Sequence, residues 1–377
     1  MKKALAPLRV TGRMDRLRAL LDSAADGAAV DGLLVTTPAN IRWLTGFSGS
    51  AGLLLVTRDR AVLATDGRYR TQSAEQVAAA GVGSDLDIAI GGVPAQREAL
   101  VGVATALGRL GLEADNVSWS AQRRWTETFD GVALVPTSGT VEGLRLVKDG
   151  AEVARMERAA AIADEALAAV LPLLSAAADG DLTEARSAAA LDDAMRRGGA
   201  EESAFETIVA SGQNSAKPHA RPGDRRIRRG DPVVVDFGAV YDGYRSDMTR
   251  TFCVGTAPSG ELADVFAVVG EAQRTGVDAV APGVAAGSVD RACREVIAAA
   301  GWAERFEHGT GHGVGLDIHE GPSVGPGSAA ILDVGTVVTV EPGVYLPGTG
   351  GVRVEDTLVV TEDGSRPLTQ FPKEVAV

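Results

Sequence analysis

The stretch Gly230-Asp231-Pro232-Val233-Val234-Val235-Asp236 returns 105 residues later as Gly335-Thr336-Val337-Val338-Thr339-Val340-Glu341. Each copy has a glycine, then a valine-rich run with the texture of a buried strand, then a carboxylate six positions after the glycine. Beyond them, Arg245-Ser246-Asp247-Met248-Thr249 resembles Arg353-Val354-Glu355-Asp356-Thr357. Thr183 and Ser288, also 105 residues apart, each precede an alanine-rich helical pattern and read as N-caps. This echo predicts two similar halves folded against each other. Each half would carry a pair of acids on equivalent strands.

The first pair can be placed more closely. Val233–Tyr241 and Tyr244–Phe252 are strand-like and flank Asp242-Gly243, a strong signal for a two-residue hairpin turn. Such a turn pairs Tyr241 with Tyr244 and brings Asp236 opposite Thr249. Asp247 then lies on the same face, a diagonal neighbour of Asp236 at roughly 7–8 Å between backbones. Two carboxylates so close need a counter-charge or a raised pKa. Glu341 and Glu355 are expected to repeat the arrangement around a longer loop, Pro342–Gly350.

The chain has 4 histidines, and three lie in His308-Gly309-Thr310-Gly311-His312-Gly313-Val314-Gly315-Leu316-Asp317-Ile318-His319-Glu320. The alternating glycines are read as leaving room for a ligand to approach. One histidine with four carboxylates makes a ligand set for two divalent ions about 3.5–4 Å apart. A loop of satisfied polar histidines is the alternative for the histidine cluster taken alone.

Outward from these motifs, the 377 residues suggest two or three domains. The first ~140 alternate short strands (Gly32–Thr36, the hairpin Ala51–Thr57/Ala61–Thr65, Leu86–Ile90, Leu110–Glu113, Val132–Val135) with helices, as in an α/β domain. Pro136-Thr137-Ser138-Gly139-Thr140 reads as a linker, and long helices follow it, near Ala151–Ala178 and Thr183–Arg197. A net charge of −13 argues against nucleic acid or an anionic membrane as partner. The basic run Arg221, Arg225, Arg226, Arg228, Arg229 is read as a solvated loop, with attraction of a peptide carboxylate as the lesser reading. The 2 cysteines, Cys253 and Cys293, are expected as buried reduced thiols. Met1-Lys2-Lys3 and the short apolar run Ala4–Leu8 do not make a signal peptide. The longest near-apolar stretch, Ala166–Ala178, falls short of the ~18 residues of a spanning helix. A cytoplasmic location is expected.

The segment His308–Glu320 and the spacing of Asp236, Asp247, His312, Glu341 and Glu355 resemble the signature of the Xaa-Pro peptidases, the aminopeptidase P and prolidase family. Asn40-Ile41-Arg42-Trp43-Leu44-Thr45-Gly46-Phe47-Ser48-Gly49 and Asp66-Gly67-Arg68-Tyr69 resemble that family's N-terminal domain, with Trp43 where tyrosine is expected. The resemblance implies a creatinase/prolidase-like α/β N-terminal domain, residues 1–140. An α+β "pita-bread" metallopeptidase domain with pseudo-two-fold symmetry would follow, residues 141–377. It implies that Asp236, Asp247, His312, Glu341 and Glu355 ligate two divalent metal ions, Mn²⁺ foremost, with Co²⁺ or Zn²⁺ also suited. Asp247 and Glu355 would bridge the ions, and Glu341 would also shuttle a proton. His219, His308 and His319 would contact substrate and steady the tetrahedral intermediate, with Arg353 (and, less so, Arg245) beside a ligand. The expected activity is hydrolysis of the bond between an N-terminal residue and proline, an Xaa-Pro aminopeptidase acting as a homodimer. The glycine-rich stretches Pro347–Gly351 and Gly321–Gly327 are taken as an open rim that admits longer peptides. The alternative is an Xaa-Pro dipeptidase; a methionine aminopeptidase and a non-catalytic pita-bread binding protein stand further off.

Overall fold

The computed structural model describes residues 5–21, 29–374 and 376–377, so the segment Met1–Ala4 lies outside the described residues. The chain divides into two compact units, Met1–Arg145 and Leu146–Val377.

The first unit is built on strands β1 (Gly32–Val35), β2 (Gly52–Thr57), β3 (Ala61–Thr65), β4 (Asp87–Ile90), β5 (Arg109–Glu113) and β6 (Ala133–Thr137). They form one mixed sheet in the order β4-β3-β2-β1-β5-β6. Helices α1 (Arg13–Leu20), α2 (Pro38–Thr45), α3 (Arg70–Ala80), α4 (Val93–Ala104), α5 (Trp119–Thr128) and α6 (Thr140–Arg145) complete it. Pro38 opens α2 and Gly46, at φ 76°, closes it, so the motif around Trp43 is a capped helix. Inside that helix the fully buried Asn40 donates to Glu113 Oε1 and Glu142 Oε1, both at 2.7 Å, and accepts from Arg145 Nη1 at 2.6 Å. The stretch Pro136–Thr140 is not a linker. Pro136 and Thr137 end β6, Gly139 turns the chain at φ 63°, and Thr140 starts α6. Its turn-forming composition marks a tight corner inside the unit.

The second unit carries α7 (Gly150–Ala176), α8 (Glu184–Arg197), α9 (Glu261–Ala279) and α10 (Ala286–Ala299). Strands β7 (Ile208–Ser211), β8 (Pro232–Phe237), β9 (Val240–Tyr241), β10 (Tyr244–Arg245) and β11 (Met248–Cys253) belong to its first half. The second half has β12 (Gly311–Gly313), β13 (Glu320–Val324), β14 (Val337–Val340), β15 (Gly343–Leu346), β16 (Gly350–Arg353), β17 (Asp356–Thr361) and β18 (Gly364–Pro367). The main sheets run β11-β8-β7 and β13-β12-β14-β17-β18. Each half buries its own core. One joins α7 and α8 to Val233, Val235, Met248 and Phe252; the other joins α9 and α10 to Val338, Val340, Leu358 and Val360.

Asp149 and Glu152 form a reciprocal cap on α7. By length and composition this helix could cross a bilayer, contrary to the expectation from Ala166–Ala178 alone. Its apolar residues Ile162, Ala163, Leu167, Val170 and Leu174 are instead core, packed with the first half's strands. Thr183 caps α8, its side chain accepting from Arg186 N. Ser288 does not cap α10, which begins at Ala286. The early N–H groups of Ala286 and Gly287 already reach the carbonyls of Ala330 and Ser328, so no side-chain acceptor is needed there.

The hairpin register follows the turn. Asp242 and Gly243 take φ 45° and 74°, Tyr241 pairs with Tyr244, and Asp236 pairs with Thr249. At the break between β8 and β9, Ala239 N donates to Ser246 Oγ at 3.0 Å. The halves then lace together reciprocally. Thr249 Oγ1 donates to Glu355 Oε2 at 2.6 Å, and Thr357 Oγ1 donates to the Asp247 carbonyl at 2.7 Å. Next to this seam the buried Arg250 binds Asp356 Oδ1 (2.8 Å), the carbonyls of Thr249 and Glu355, and those of Phe371 and Pro372.

A side chain at Gly238 would bring its Cβ to 1.9 Å from the Ser246 carbonyl oxygen, whereas one at Gly102, on α4, meets nothing within 4 Å. Gly238→Ala is therefore expected to destabilise by at least ~1–3 kcal/mol, and Gly102→Ala to stabilise by ~0.5–1 kcal/mol. Chemical denaturation midpoints of the two variants test the contrast.

Candidate metal centre

Nine of the ten site residues named from the sequence, all but Arg245, line one cavity of about 660 Å³. Asp236 stands near the end of β8, Asp247 just before β11, and His312 in the middle of β12. Glu341 follows β14, and Glu355 lies between β16 and β17. Asp236, Asp247 and Glu355 each offer an oxygen within 4.8 Å of the others. His312 Nε2 lies 3.6 Å from Asp247 Oδ2 and 3.5 Å from Glu341 Oε1. Its Nδ1 donates to the Gly313 carbonyl at 2.9 Å, which leaves Nε2 unprotonated toward the acids.

The second acid pair does not copy the first. The register from Val340↔Asp356 to Gly343↔Arg353 sets Glu341 directly across from Glu355, where Asp236 and Asp247 are diagonal. The expected loop Pro342–Gly350 is mostly β-hairpin, and that hairpin alters the offset. Of the four glycines of the histidine segment, Gly309 and Gly311 line the cavity, but three are closed in by neighbouring strands. A Cβ at Gly311 would lie 2.1 Å from Thr339 O, one at Gly313 would lie 1.9 Å from Gly321 O, and one at Gly315 would meet the Glu320 carboxylate. They let neighbouring strands close up behind His312. Gly350 and Gly351 are likewise buried in β16, Gly351 against Ser215, so Pro347–Gly351 is no open rim.

Arg353, 2% exposed, is the guanidinium buried among the acids. It donates to Asp236 Oδ2 at 2.6 Å, Thr249 Oγ1 at 3.2 Å, Tyr345 Oη at 2.8 Å and the Pro218 carbonyl at 3.2 Å. Tyr345 Oη in turn meets His308 Nε2 at 2.9 Å, and His308 Nδ1 meets the Gly309 carbonyl at 2.8 Å. Both ring nitrogens of His308 are thus engaged in this structure. Sequence reading missed Tyr345, which sat within the supposed loop. It also missed Thr339, which accepts from His312 N and donates to Glu341 Oε1. His319 is exposed and edge-on to the His312 ring, with centroids 4.5 Å apart; His219 is exposed in a turn at the cavity mouth. Arg245 does not sit beside Asp247 as Arg353 sits beside its neighbours. It donates to the carbonyls of Ala204 and Leu316. Most of the basic run is tied up with acids: Arg221 with Glu206, Arg225 with Asp231, Arg226 with Asp181 and Arg229 with Asp179.

The residues fit a cation. Asp236 Oδ1 is buried without a hydrogen-bond partner, while its Oδ2 is held by Arg353. An orphaned carboxylate oxygen beside two further carboxylates and an aimed imidazole is a hard-cation donor set. Without one, charge is expelled. Burial and then the neighbouring acids push Asp247 and Glu355 well above the ordinary carboxylate range, and burial pushes Glu341 up to about 8. Burial also lowers His308 and His312 to about 4.

The sign of the resulting pH dependence follows by linkage. Metal-free, the folded chain holds a proton on Glu341 between 4.5 and about 8 that the unfolded chain releases, so this contribution to stability is lost as pH rises through that window. His308 and His312 act oppositely, but only between about 4 and 6.5. Metal-stripped protein should therefore lose thermal stability from pH 6.5 to 8, and a saturating divalent cation should remove the decline. Calorimetry at matched ionic strength measures both slopes.

Comparison with known proteins agrees with this geometry. Residues 154–362 match metallopeptidase family M24, and residues 13–147 match the creatinase/prolidase N-terminal domain. The chain is 40% identical over 365 residues to the uncharacterized peptidase YqhT of Bacillus subtilis, covering 97% of this chain and 99% of that one. A solved Xaa-Pro dipeptidase from Bacillus anthracis superposes with a TM-score of 0.91 at 36% identity, covering 98% and 100%. An X-Pro aminopeptidase from Thermotoga maritima gives 0.85 at 33% identity, covering 97% and 100%. With an acid-and-histidine centre in a two-half fold and these matches across both units, the chain belongs to metallopeptidase family M24, joined to a creatinase/prolidase-type N-terminal domain.

Proposed function

We propose that this chain is a dinuclear-metal exopeptidase that hydrolyses the bond between an N-terminal residue and proline. The observation that carries it is the convergence of Asp236, Asp247, His312, Glu341 and Glu355 on one cavity, with Asp236 Oδ1 buried and unpaired. These five would hold two divalent ions, Mn²⁺ by preference, with Co²⁺ or Zn²⁺ also suited to the donors. Bound there, the ions supply Lewis-acid polarisation of the scissile carbonyl and a water acidified toward neutral pH.

The rest is the work of side chains. Glu341, displaced toward neutrality by burial, takes a proton from the attacking water and passes it to the leaving nitrogen. Arg353 fixes one oxygen of Asp236 and thereby turns the other inward. His312 is held by its Nδ1. His219 and His319, exposed in the cavity wall, meet the substrate, and His308 does so when Tyr345 yields its Nε2. A tertiary amide at proline has no N–H to recognise, so the cavity must grip the substrate elsewhere. The acidic floor attracts a free α-amino group, which limits cleavage to the first residue.

Peptides longer than two residues are accepted on this reading. Of the two glycine-rich stretches, Gly321–Gly327 still brings Ser323 to the cavity wall; further support is the cavity volume of about 660 Å³ and the likeness to the Thermotoga aminopeptidase. The likeness to the Bacillus anthracis dipeptidase favours the second reading, confinement to dipeptides. A cytoplasmic homodimer completes the proposal.

Three outcomes are expected. Exhaustive chelation abolishes turnover of Ala-Pro and Ala-Pro-Ala, and added Mn²⁺ restores it; full activity at zero metal content refutes the proposal. Asp247→Ala loses activity by ~10³-fold or more, as expected when several kcal/mol of charge stabilisation go, and its metal stoichiometry falls. His308→Ala and His319→Ala keep both metals and lose rate, by roughly 10²-fold if each lends a proton or hydrogen bond in the transition state. Relative kcat/KM for Xaa-Pro, Xaa-Pro-Yaa and Met-Ala peptides separates aminopeptidase, dipeptidase and methionine aminopeptidase.

A further inference from the structure

Two buried acids outside the cavity perform the same task in the two halves. Glu184, 1% exposed at the start of α8, accepts Ser211 N at 2.8 Å and Ser211 Oγ at 2.7 Å on one oxygen. Asn214 Nδ2 reaches the same oxygen at 3.1 Å, and Gly223 N reaches the other at 3.2 Å. Asp290, 2% exposed on α10, accepts Thr310 N at 3.1 Å and Thr310 Oγ1 at 3.0 Å on one oxygen, and Arg294 Nε at 2.8 Å on the other. In both cases a helix-borne carboxylate takes the N–H and the hydroxyl of one residue. In both cases that residue borders a segment bearing cavity histidines.

The segments differ. Glu184 clamps both ends of residues 211–223, which carry Pro218, His219 and Arg221 into the cavity wall. Asp290 and Arg294 hold Phe306–Thr310: Arg294 donates to the carbonyls of Phe306 and His308 and stacks over the Phe306 ring, whose edge meets His308 at 5.0 Å between centroids. Neither acid lines the cavity. Nor do they occupy matching sites. Aligning the buried faces of α8 and α10 sets Asp290 against Ala188, one turn beyond Glu184.

We propose that Glu184 and Asp290 are positioning residues, each setting one histidine wall: Glu184 acts through His219, and Asp290 through His308. An amide cannot replace either carboxylate, because both oxygens accept and an NH₂ would face a donor. The walls are laid by separate acids and are joined through Arg353, which bonds both the Pro218 carbonyl and Tyr345 Oη, so damage to one should fall mainly on its own histidine. The kinetic part of this inference rests on the function proposed above; the geometric part does not.

The test exploits the 4 histidines of the chain. In histidine-selective ¹⁵N ring spectra of the full chain, Glu184→Gln should move His219 more than His308; Asp290→Asn should do the reverse. Kinetics on Ala-Pro peptides should follow. Each variant should lose about 10-fold in kcat/KM, the scale of lost outer-shell support. Glu184→Gln with His219→Ala should be within about twofold of His219→Ala alone, while Glu184→Gln with His308→Ala should multiply the single losses, as independent sites do. Thr310→Ser, which keeps both bonds to Asp290, should retain the native His308 signal. If Glu184→Gln does not fold, Ser211→Ala takes its place with the same expected pattern. Equal movement of all the ring signals by either variant, or by neither, overturns the proposal. Wild-type protein that cleaves no Xaa-Pro peptide overturns the functional reading, and the spectra still decide this one.

Discussion

Four carboxylates share a buried space with one guanidinium, and the second unit is arranged around that imbalance. Arg353 offsets Asp236 and reaches Glu341 at 4.0 Å; among the described residues no second guanidinium or ammonium in the cluster balances Asp247 and Glu355. Such a cluster is costly unless protons or cations fill it. The chain holds the acids in place with neutral donors and with the backbone. Thr249 and Thr357 reach across from opposite halves, and Thr339 braces Glu341 and His312. The acids are thus held together in a rigid frame, where a cation can take the place of the protons that otherwise neutralise them.

The frame explains why the fold is built from two halves. A single hairpin supplies two acids at a fixed offset. Facing a second hairpin multiplies the donors without lengthening either strand, and reciprocal threonine bonds fix the separation. The copies are not identical, however. The first hairpin, β9 and β10, turns in two residues and leaves its acids diagonal; the second, β15 and β16, is longer and sets its acids face to face. The longer hairpin delivers Tyr345, which links Arg353 to His308, whereas Arg245, the sequence echo of Arg353, looks away toward Ala204 and Leu316.

What could be read from the sequence was what local chemistry dictates. Asp242-Gly243 forces a tight turn, and the turn fixes Asp236 opposite Thr249 without help from the rest of the chain. The β2/β3 hairpin, the long α7 and the Thr183 cap are legible for the same reason. Features decided by distant partners were not. Leu346-Pro347-Gly348-Thr349-Gly350 does not announce a hairpin, so the offset of Glu355 and the place of Tyr345 stayed hidden. Ser288 looks like a cap until residues 328–330 supply the acceptors. Pro136–Thr140 looks like a tether because turns and tethers share a composition. The glycines around His312 read as room for a ligand; Gly309 and Gly311 do line the cavity, but Thr339, Gly321 and Glu320 press against Gly311, Gly313 and Gly315 from the other side.

The buried Arg250 adds an order in time. Its guanidinium is shared among Asp356 and the carbonyls of Glu355, Phe371 and Pro372, and Thr369 and Lys373 also bind Asp356. During synthesis Asp236 and Asp247 leave the ribosome more than a hundred residues before those partners. The first half then carries two mutually repelling acids and an arginine destined for burial but still without its counter-ion. Its hairpin can form early, because its contacts are local; the centre cannot close until the last strand and the segment after it arrive. Metal capture therefore belongs to the end of folding, and a nascent chain stalled before Glu355 would present an incomplete donor set to the cell's metal pool.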